Sequence, residues 1–361
     1  MLYREAGQFK TSYAADQAVF PIRQDRWFIA AVLIFAYIAV PLFMRGQEDY
    51  LYQAVLIPFL ILALAAIGLN ILTGYAGQLS LGTGAFMAVG AYSAYKLTTA
   101  FPDLNIIVVF LLAGLITAGV GLMFGLPSLR IKGFYLAVAT LAAQFFIPWL
   151  FNKVAWFYNY APSGTITVPP RDLLGWQVTG PAATAEARYF VILTLLVVFA
   201  LIAKNIVRGR IGRQWMAIRD MDIAAEIIGI RMLPNKLVAF AVSSFYCGIA
   251  GALYIFCYLG SAEPEAFDIL LSFDVLFMII IGGLGSILGS ILGAAFITLL
   301  PIFLTNAPQM LGFEMRADLQ KHFEFMIFGS LIVVFLIIEP NGLARLWQIA
   351  KEKLRRWPFP Y

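Results

Sequence analysis

Long apolar runs without β alternation follow one another through this chain, and no other feature constrains its fold as strongly. A membrane-spanning strand would show about 10 alternating residues, whereas a spanning helix needs about 20 mainly apolar ones. The runs match the helix. Ten spans are predicted, at about 27–44, 50–70, 76–97, 104–126, 134–152, 189–207, 237–260, 269–284, 287–305 and 323–339. Charge supports this reading: only 12% of residues are charged, against about 25% in soluble domains. Such a deficit cannot be hidden in a core, because the surface still has to face water. A soluble enzyme, a secreted disulfide scaffold and a nucleic-acid-binding module are therefore poor readings. The expected fold is an all-α polytopic bundle with some helices interrupted by glycine.

The basic residues set the orientation. With the N-terminus inside and sides alternating, eighteen of the 25 Lys and Arg fall on inner segments. The seven outer ones are Arg45, Lys96, Lys153, Arg171, Arg188, Arg316 and Lys321. Both termini are thus expected in the cytoplasm, with anionic membrane lipid, not nucleic acid, as the partner of the positive charge. The segment 1–26 is polar and has no apolar core, so no cleaved signal peptide is expected there. The membrane-spanning body is read as 27–339, with an external Pro/Gly-rich loop at 153–188, a charged cytoplasmic loop at 208–236 and a basic tail at 340–361.

Ionisable groups inside a bilayer are costly and usually mark a site. Here Glu48, Asp49, Asp103, Glu263, Glu265, Asp268, Glu324 and Glu339 sit at span ends or in loops, and His322 lies at a boundary. Asp274 is the visible exception, inside DILLSFDVLFMIIIGG; it is either an ion-coupled pathway group or the start of a helix, where a carboxylate is welcome. No span holds a carboxylate pair, a His/Glu set or a Ser/Lys arrangement, so a membrane enzyme lacks its acids, bases and ligands. Cys247 and Cys257 lie in one apolar run and suggest neither a disulfide framework nor a metal site. There is no G-x-x-x-x-G-K-[ST] loop, and neither a catalytic site nor a cofactor of its own is expected. What remains is a passive pore, a secondary transporter using Asp274, or a conduit driven by another subunit.

Two glycine-rich stretches interrupt the apolar runs, one in each half: TGYAGQLSLGTGAF at 73–86 and IGGLGSILGSILGAAF at 281–296. Broken backbone in a membrane must be buried or line a cavity, and paired breaks point to a transporter's solute site. In the first stretch Thr73, Gln78, Ser80 and Thr83 either face the solute path or bond back to their own helix. Gln144, within TLAAQFF, is a further candidate wall residue. In the second stretch Gly285, Gly289 and Gly293 recur every four residues, which suits close helix packing.

The inner loop predicts a helix from Arg213 to Ile228 with Gly229 as its stop. Trp215, Ile218, Ile223 and Ile227 form an apolar stripe. Such a helix either lies in the lipid headgroups or enters a groove on a partner.

Three segments carry a resemblance: RGRIGRQWMAIRDMDIAAEIIGIRMLPNKLVAFAVSSFYCGIAGALY at 208–254, NILTGYAGQLSLGTGAFMAVGAYSAYKL at 70–97, and IGGLGSILGSILGAAF. Together they resemble the branched-chain amino-acid class of ABC transporter permeases, over about residues 50–340. Such permeases carry an E-A-A, three-residue gap, Gly motif on the helix that couples to the ATPase. Ala224, Ala225 and Gly229 match it, while Ile223 replaces the glutamate between Asp222 and the Ala pair, with Glu226 beyond. The resemblance implies that Arg213, Arg219, Asp222, Ala224, Ala225, Glu226 and Gly229 belong to the ATPase-coupling loop. It also implies a second permease subunit, two cytoplasmic ATP-binding subunits that consume the ATP, an external solute-binding protein, and a bacterial inner membrane. Leucine, isoleucine and valine are the implied cargo, with urea, amides, and aromatic or organic acids carried by other members.

Overall fold

The computed structural model describes residues 12, 19–20, 23–44, 50–130, 135–173, 175–180, 182–310 and 342–356, and single helical positions between 323 and 337. The chain divides at Asp49/Tyr50 into two units.

Among the described residues the first unit is essentially one helix, α1 (Asp25–Met44), with little of it buried. Trp27, Phe35 and Phe43 stand exposed around it, as on a helix whose solvent is hydrocarbon. Its spiral widens at Phe35–Ala39, where the N–H of Val40 bonds the carbonyl five residues back, just before Pro41 interrupts the ladder.

The second unit is built on two buried helices, α2 (Tyr52–Tyr75) and α9 (Met232–Leu259). In α2 the stretch Ile57–Asn70 is apolar on all sides and almost wholly buried. Around this pair stand α3 (Thr83–Ala100), α4 (Ile106–Ser128), α5 (Tyr135–Lys153), α6 (Ala185–Arg208), α10 (Ile269–Gly282) and α11 (Ile287–Met310). Their outer faces carry exposed Leu115, Met123, Val138, Phe145 and Trp149. Small residues let the inner helices approach, since lipid supplies no hydrophobic drive between them. A Cβ on Gly68 of α2 would stand 2.5 Å from the Tyr246 Cβ of α9.

Seven of the described helices are long and apolar enough to cross a membrane. The protein is therefore an all-α, multi-pass membrane protein, and the count of ten spans is not confirmed among the described residues. The expected span at 76–97 begins instead at Thr83, after an irregular stretch, and that at 269–284 forms the shorter α10. The span at 323–339 is described only at scattered helical positions, and His322 and Glu324 lie outside the described residues. The expected span at 50–70 runs on to Tyr75 through a further widened turn, Ile71–Tyr75.

Two small ribbons order the loop expected at 153–188. β1 (Ile166–Thr167) pairs antiparallel with β4 (Ser261–Ala262), and β2 (Arg171–Leu173) pairs with β3 (Trp176–Thr179). Arg171 of β2 ties them to α3, donating to the carbonyls of Pro102 and, at 2.6 Å, Thr98. At the other end of α9 the chain forms α7 (Arg210–Asp220) and α8 (Asp222–Ile227). A last helix, α12 (Gly342–Arg356), starts against the turn between α10 and α11, where a Cβ on Gly342 would come within 2.5 Å of the Ile281 carbonyl.

Candidate functional site

The two glycine-rich breaks meet. Asn70 ends the regular part of α2, and its side chain reaches the turn between α10 and α11. It donates to the Ser286 carbonyl at 2.9 Å and to Ser290 Oγ at 2.7 Å, and accepts from the Gly285 amide at 2.9 Å. One side chain thus satisfies backbone that has left the helix, which a membrane interior demands. Gly74 packs so tightly on this turn that a Cβ there would collide with Asn70 Oδ1 and the Gly285 nitrogen.

Gly285 therefore departs from the expected packing stripe. It lies before α11 with φ +76°, a left-handed conformation open to glycine at little cost. Gly289 and Gly293 pack against Gly282 of α10. A Cβ on Gly289 would be 2.5 Å from the Gly282 carbonyl, and one on Gly293 would strike the Met278 carbonyl.

Beyond the seam, α3 begins deep in the protein, where its first N–H groups need acceptors. For Gly84 and Ala85, and for Leu81 just before the helix, they are supplied from neighbouring helices. Thr140 Oγ1 accepts from Leu81 N at 3.0 Å, Ser272 Oγ from Gly84 N at 2.7 Å, and Gln144 Oε1 from Ala85 N at 2.8 Å. Gln144 also accepts from Ser272 Oγ at 2.9 Å and donates to the Phe267 carbonyl at 2.8 Å. It is a tie between α3, α5 and the turn before α10. The amides of Leu81, Gly84 and Ala85 are thus already bonded within the protein.

The remaining candidates of the first stretch separate into two kinds. Thr73 is half-buried and donates to the Gln78 carbonyl at 3.1 Å, and Ser80 is buried. Gln78 is 7% exposed and Thr83 1%, yet neither the Gln78 amide nor the Thr83 hydroxyl has a hydrogen-bond partner. Asp274 does not start α10: Asp268 does, its carboxylate accepting from Leu271 N at 3.0 Å. Asp274 lies in the second turn of that helix, half-buried.

At the end of α9 away from the strands, the loop expected as one helix folds as two. Met221 is extended (φ −157°, ψ 94°) between α7 and α8. This break divides the apolar stripe. Trp215 and Ile218 are buried, with Trp215 Nε1 donating to the Asn235 carbonyl at 3.0 Å. Ile223 and Ile227 point away and are 67% and 80% exposed, beside exposed Met221 and Ile228. Arg213, Asp222, Ala224, Glu226 and Gly229 are also exposed, whereas Ala225 is buried. Gly229 does stop the helix, at φ +88°, and the next amide, of Ile230, bonds back to the Ala225 carbonyl at 3.0 Å.

Arg219 behaves differently from the rest of the loop. Its Nη1 donates to the Gly74 carbonyl at 2.7 Å, while Nε and Nη2 hold Asp220 Oδ1 at 2.9 and 2.8 Å. Its stem crosses Gly77, where a Cβ would meet Arg219 Cγ at 2.9 Å. The loop is thereby bonded to the seam between the two breaks. Asn70, Thr140, Ser272 and this inward contact of Arg219 escaped the sequence reading. The one signal available was a lone amide, Asn70, ending the run AAIGLN. At the far end of α9 a cavity of about 300 Å³ lies between Thr165, Leu259, Ser261, Glu263 and Glu265.

Residues 51–336 match the profile of a family described as "Branched-chain amino acid transport system / permease component". The chain is 29% identical to the high-affinity branched-chain amino acid transport system permease protein LivM of Salmonella typhimurium, over 89% of this chain and 75% of that protein. The Escherichia coli LivM gives the same figures. It is also 25% identical to the ribose import permease protein RbsC of Haemophilus influenzae, over 78% of this chain and 82% of that one. No solved structure matches it.

Proposed function

Because the chain belongs to the branched-chain amino acid transport system permease family, we propose that it is the membrane subunit of an ATP-driven importer. In this reading it pairs with a second permease subunit and two cytoplasmic ATP-binding subunits, and receives solute from an external binding protein. It sits in the bacterial inner membrane with both termini, and the α7–α8 loop, on the cytoplasmic side. It carries no nucleotide site or cofactor of its own; the ATP belongs to its partners.

The observation that carries this reading is the divided stripe. Trp215 and Ile218 root the loop in the permease, while Met221, Ile223, Ile227 and Ile228 stand in the open. An exposed apolar helix face with charged neighbours suits a groove on a partner, the apolar groups anchoring and the charges setting register. Arg213, Asp222 and Glu226 are those charges, and Ala224 and Gly229 keep the approach close.

The solute is a branched-chain amino acid or a related small solute, consistent with likeness to both LivM and a ribose import permease. Its path runs beside Thr73, Gln78, Ser80 and Thr83. A buried polar group without a partner costs about 1–3 kcal/mol, and Gln78 and Thr83 both stand in that condition. A passing ammonium or carboxylate group would satisfy them. Gln144 supports this path by holding the start of α3, and Asp274 borders it in α10.

The test is co-purification with the two ATP-binding subunits. Ile223→Asp together with Ile227→Asp places two charges on the exposed face and should abolish recovery of the ATPases while leaving the permease folded. Recovery at the parental level would overturn the docking assignment.

A further inference from the structure

Arg219 is the group where the partner-facing loop touches the broken helices, and this inference rests on the coupling role proposed above. The last carbonyls of α2 have no partners within their own helix, and the C-terminal end of a helix dipole is negative. A guanidinium is the group such an end favours, and Arg219 Nη1 takes the Gly74 carbonyl at 2.7 Å. The same nitrogen faces the other break, since a Cβ on Gly285 would lie 3.2 Å from it. Gly77, at φ +68°, passes beneath the arginine stem with room for no side chain there. Asn70 completes the arrangement by bonding the 283–286 turn to α2. Three pieces of chain therefore converge under one side chain that itself belongs to α7.

The arginine is held but not locked in. Its side chain is 37% exposed, and Asp220, which orients the fork from the other side, is 65% exposed. Water can take over each bond, so the contact can open and re-form without leaving a buried charge unpaired.

We infer that Arg219 is a positioning residue that links the motion of the α7–α8 loop to the seam formed by Gly74 and Gly285. While the guanidinium caps α2, the seam is held shut from the loop side; displacement of the loop withdraws the cap and frees both breaks together. Arg219 thus acts on this seam rather than as one of the charges on the partner-facing surface.

The experiment uses the complete transporter, with both permeases, the ATPases and the binding protein, reconstituted in liposomes. It reads solute taken up per ATP hydrolysed. Arg219→Gln should keep ATP hydrolysis while uptake per ATP falls about tenfold, the factor expected for loss of one charge-assisted hydrogen bond. Arg219→Lys should recover part of the ratio, because an ammonium reaches the same carbonyl but cannot hold Asp220 at once. Asp220→Asn, which leaves the Gly74 bond in place, should stay near the parental ratio. An unchanged ratio in Arg219→Gln, or hydrolysis and uptake falling in equal proportion, would overturn the inference. If Arg219→Gln does not assemble, an unchanged ratio in Arg219→Lys would overturn it equally. Failure of the docking assignment is read separately, as ATPase recovery with the Ile223/Ile227 double variant.

Discussion

Replacing Gln144 with leucine separates a structural tie from a wall of the solute path. The amide bonds Ala85 N at 2.8 Å, the Phe267 carbonyl at 2.8 Å and Ser272 Oγ at 2.9 Å. Leucine fills nearly the same volume and makes none of these bonds. Hydrogen bonds within membrane proteins average about 0.6 kcal/mol each, so the three together give a lower bound of about 2 kcal/mol. The Ala85 amide and Phe267 carbonyl are also left buried, and orphaned groups cost about 1–3 kcal/mol apiece, which brings the upper bound to about 8 kcal/mol. Unfolding of the purified protein by titration from mild detergent into dodecyl sulfate should show a loss in that range. The surviving folded fraction, reconstituted with its partners, should keep its apparent affinity for solute. An unchanged unfolding midpoint with an altered KM would refute the reasoning and return Gln144 to the lining of the path.

Other consequences follow from the same contacts. Gly293→Val pushes a branched side chain into the Met278 carbonyl, and should cost about 1–3 kcal/mol or block folding; Gly119→Ala, with nothing within 4 Å of the new carbon, should be neutral or gain up to about 1 kcal/mol. The same detergent titration reads both. Gly229→Val places a β-branched residue at φ +88°, a strain of about 1–3 kcal/mol confined to an exposed turn. The complex should still assemble while uptake and solute-stimulated ATP hydrolysis fall; full activity would count against Gly229 as the stop that sets the loop.

The apolar elements were legible because length and composition alone define a helix in lipid. Their interruptions were legible only as places, since glycine marks where backbone can leave the helix but not what replaces the lost bonds. The start of α3 at Thr83 depends on acceptors from Thr140, Gln144 and Ser272, which lie 57 or more residues away in sequence. Gly285 reads as one of a four-residue repeat, and only the backbone reveals its left-handed turn. The break at Met221 has neither glycine nor proline to announce it. Its trace is the five-residue step from Ile218 to Ile223 in a stripe otherwise spaced by three or four, together with Asp222 at the first position of a new helix. Arg219 was legible as a charge on the loop, but its attachment to Gly74 spans 145 residues, and no local pattern encodes that.

Solute uptake into sealed liposomes, measured with the purified chain alone and then with both permeases, the ATPases and the binding protein, tests the central claim. Borrowed energy predicts no accumulation by the chain alone under a proton or sodium gradient, and accumulation by the complex only with ATP inside the cytoplasmic compartment. Concentrative uptake by the isolated chain, driven by an ion gradient without nucleotide, would contradict it.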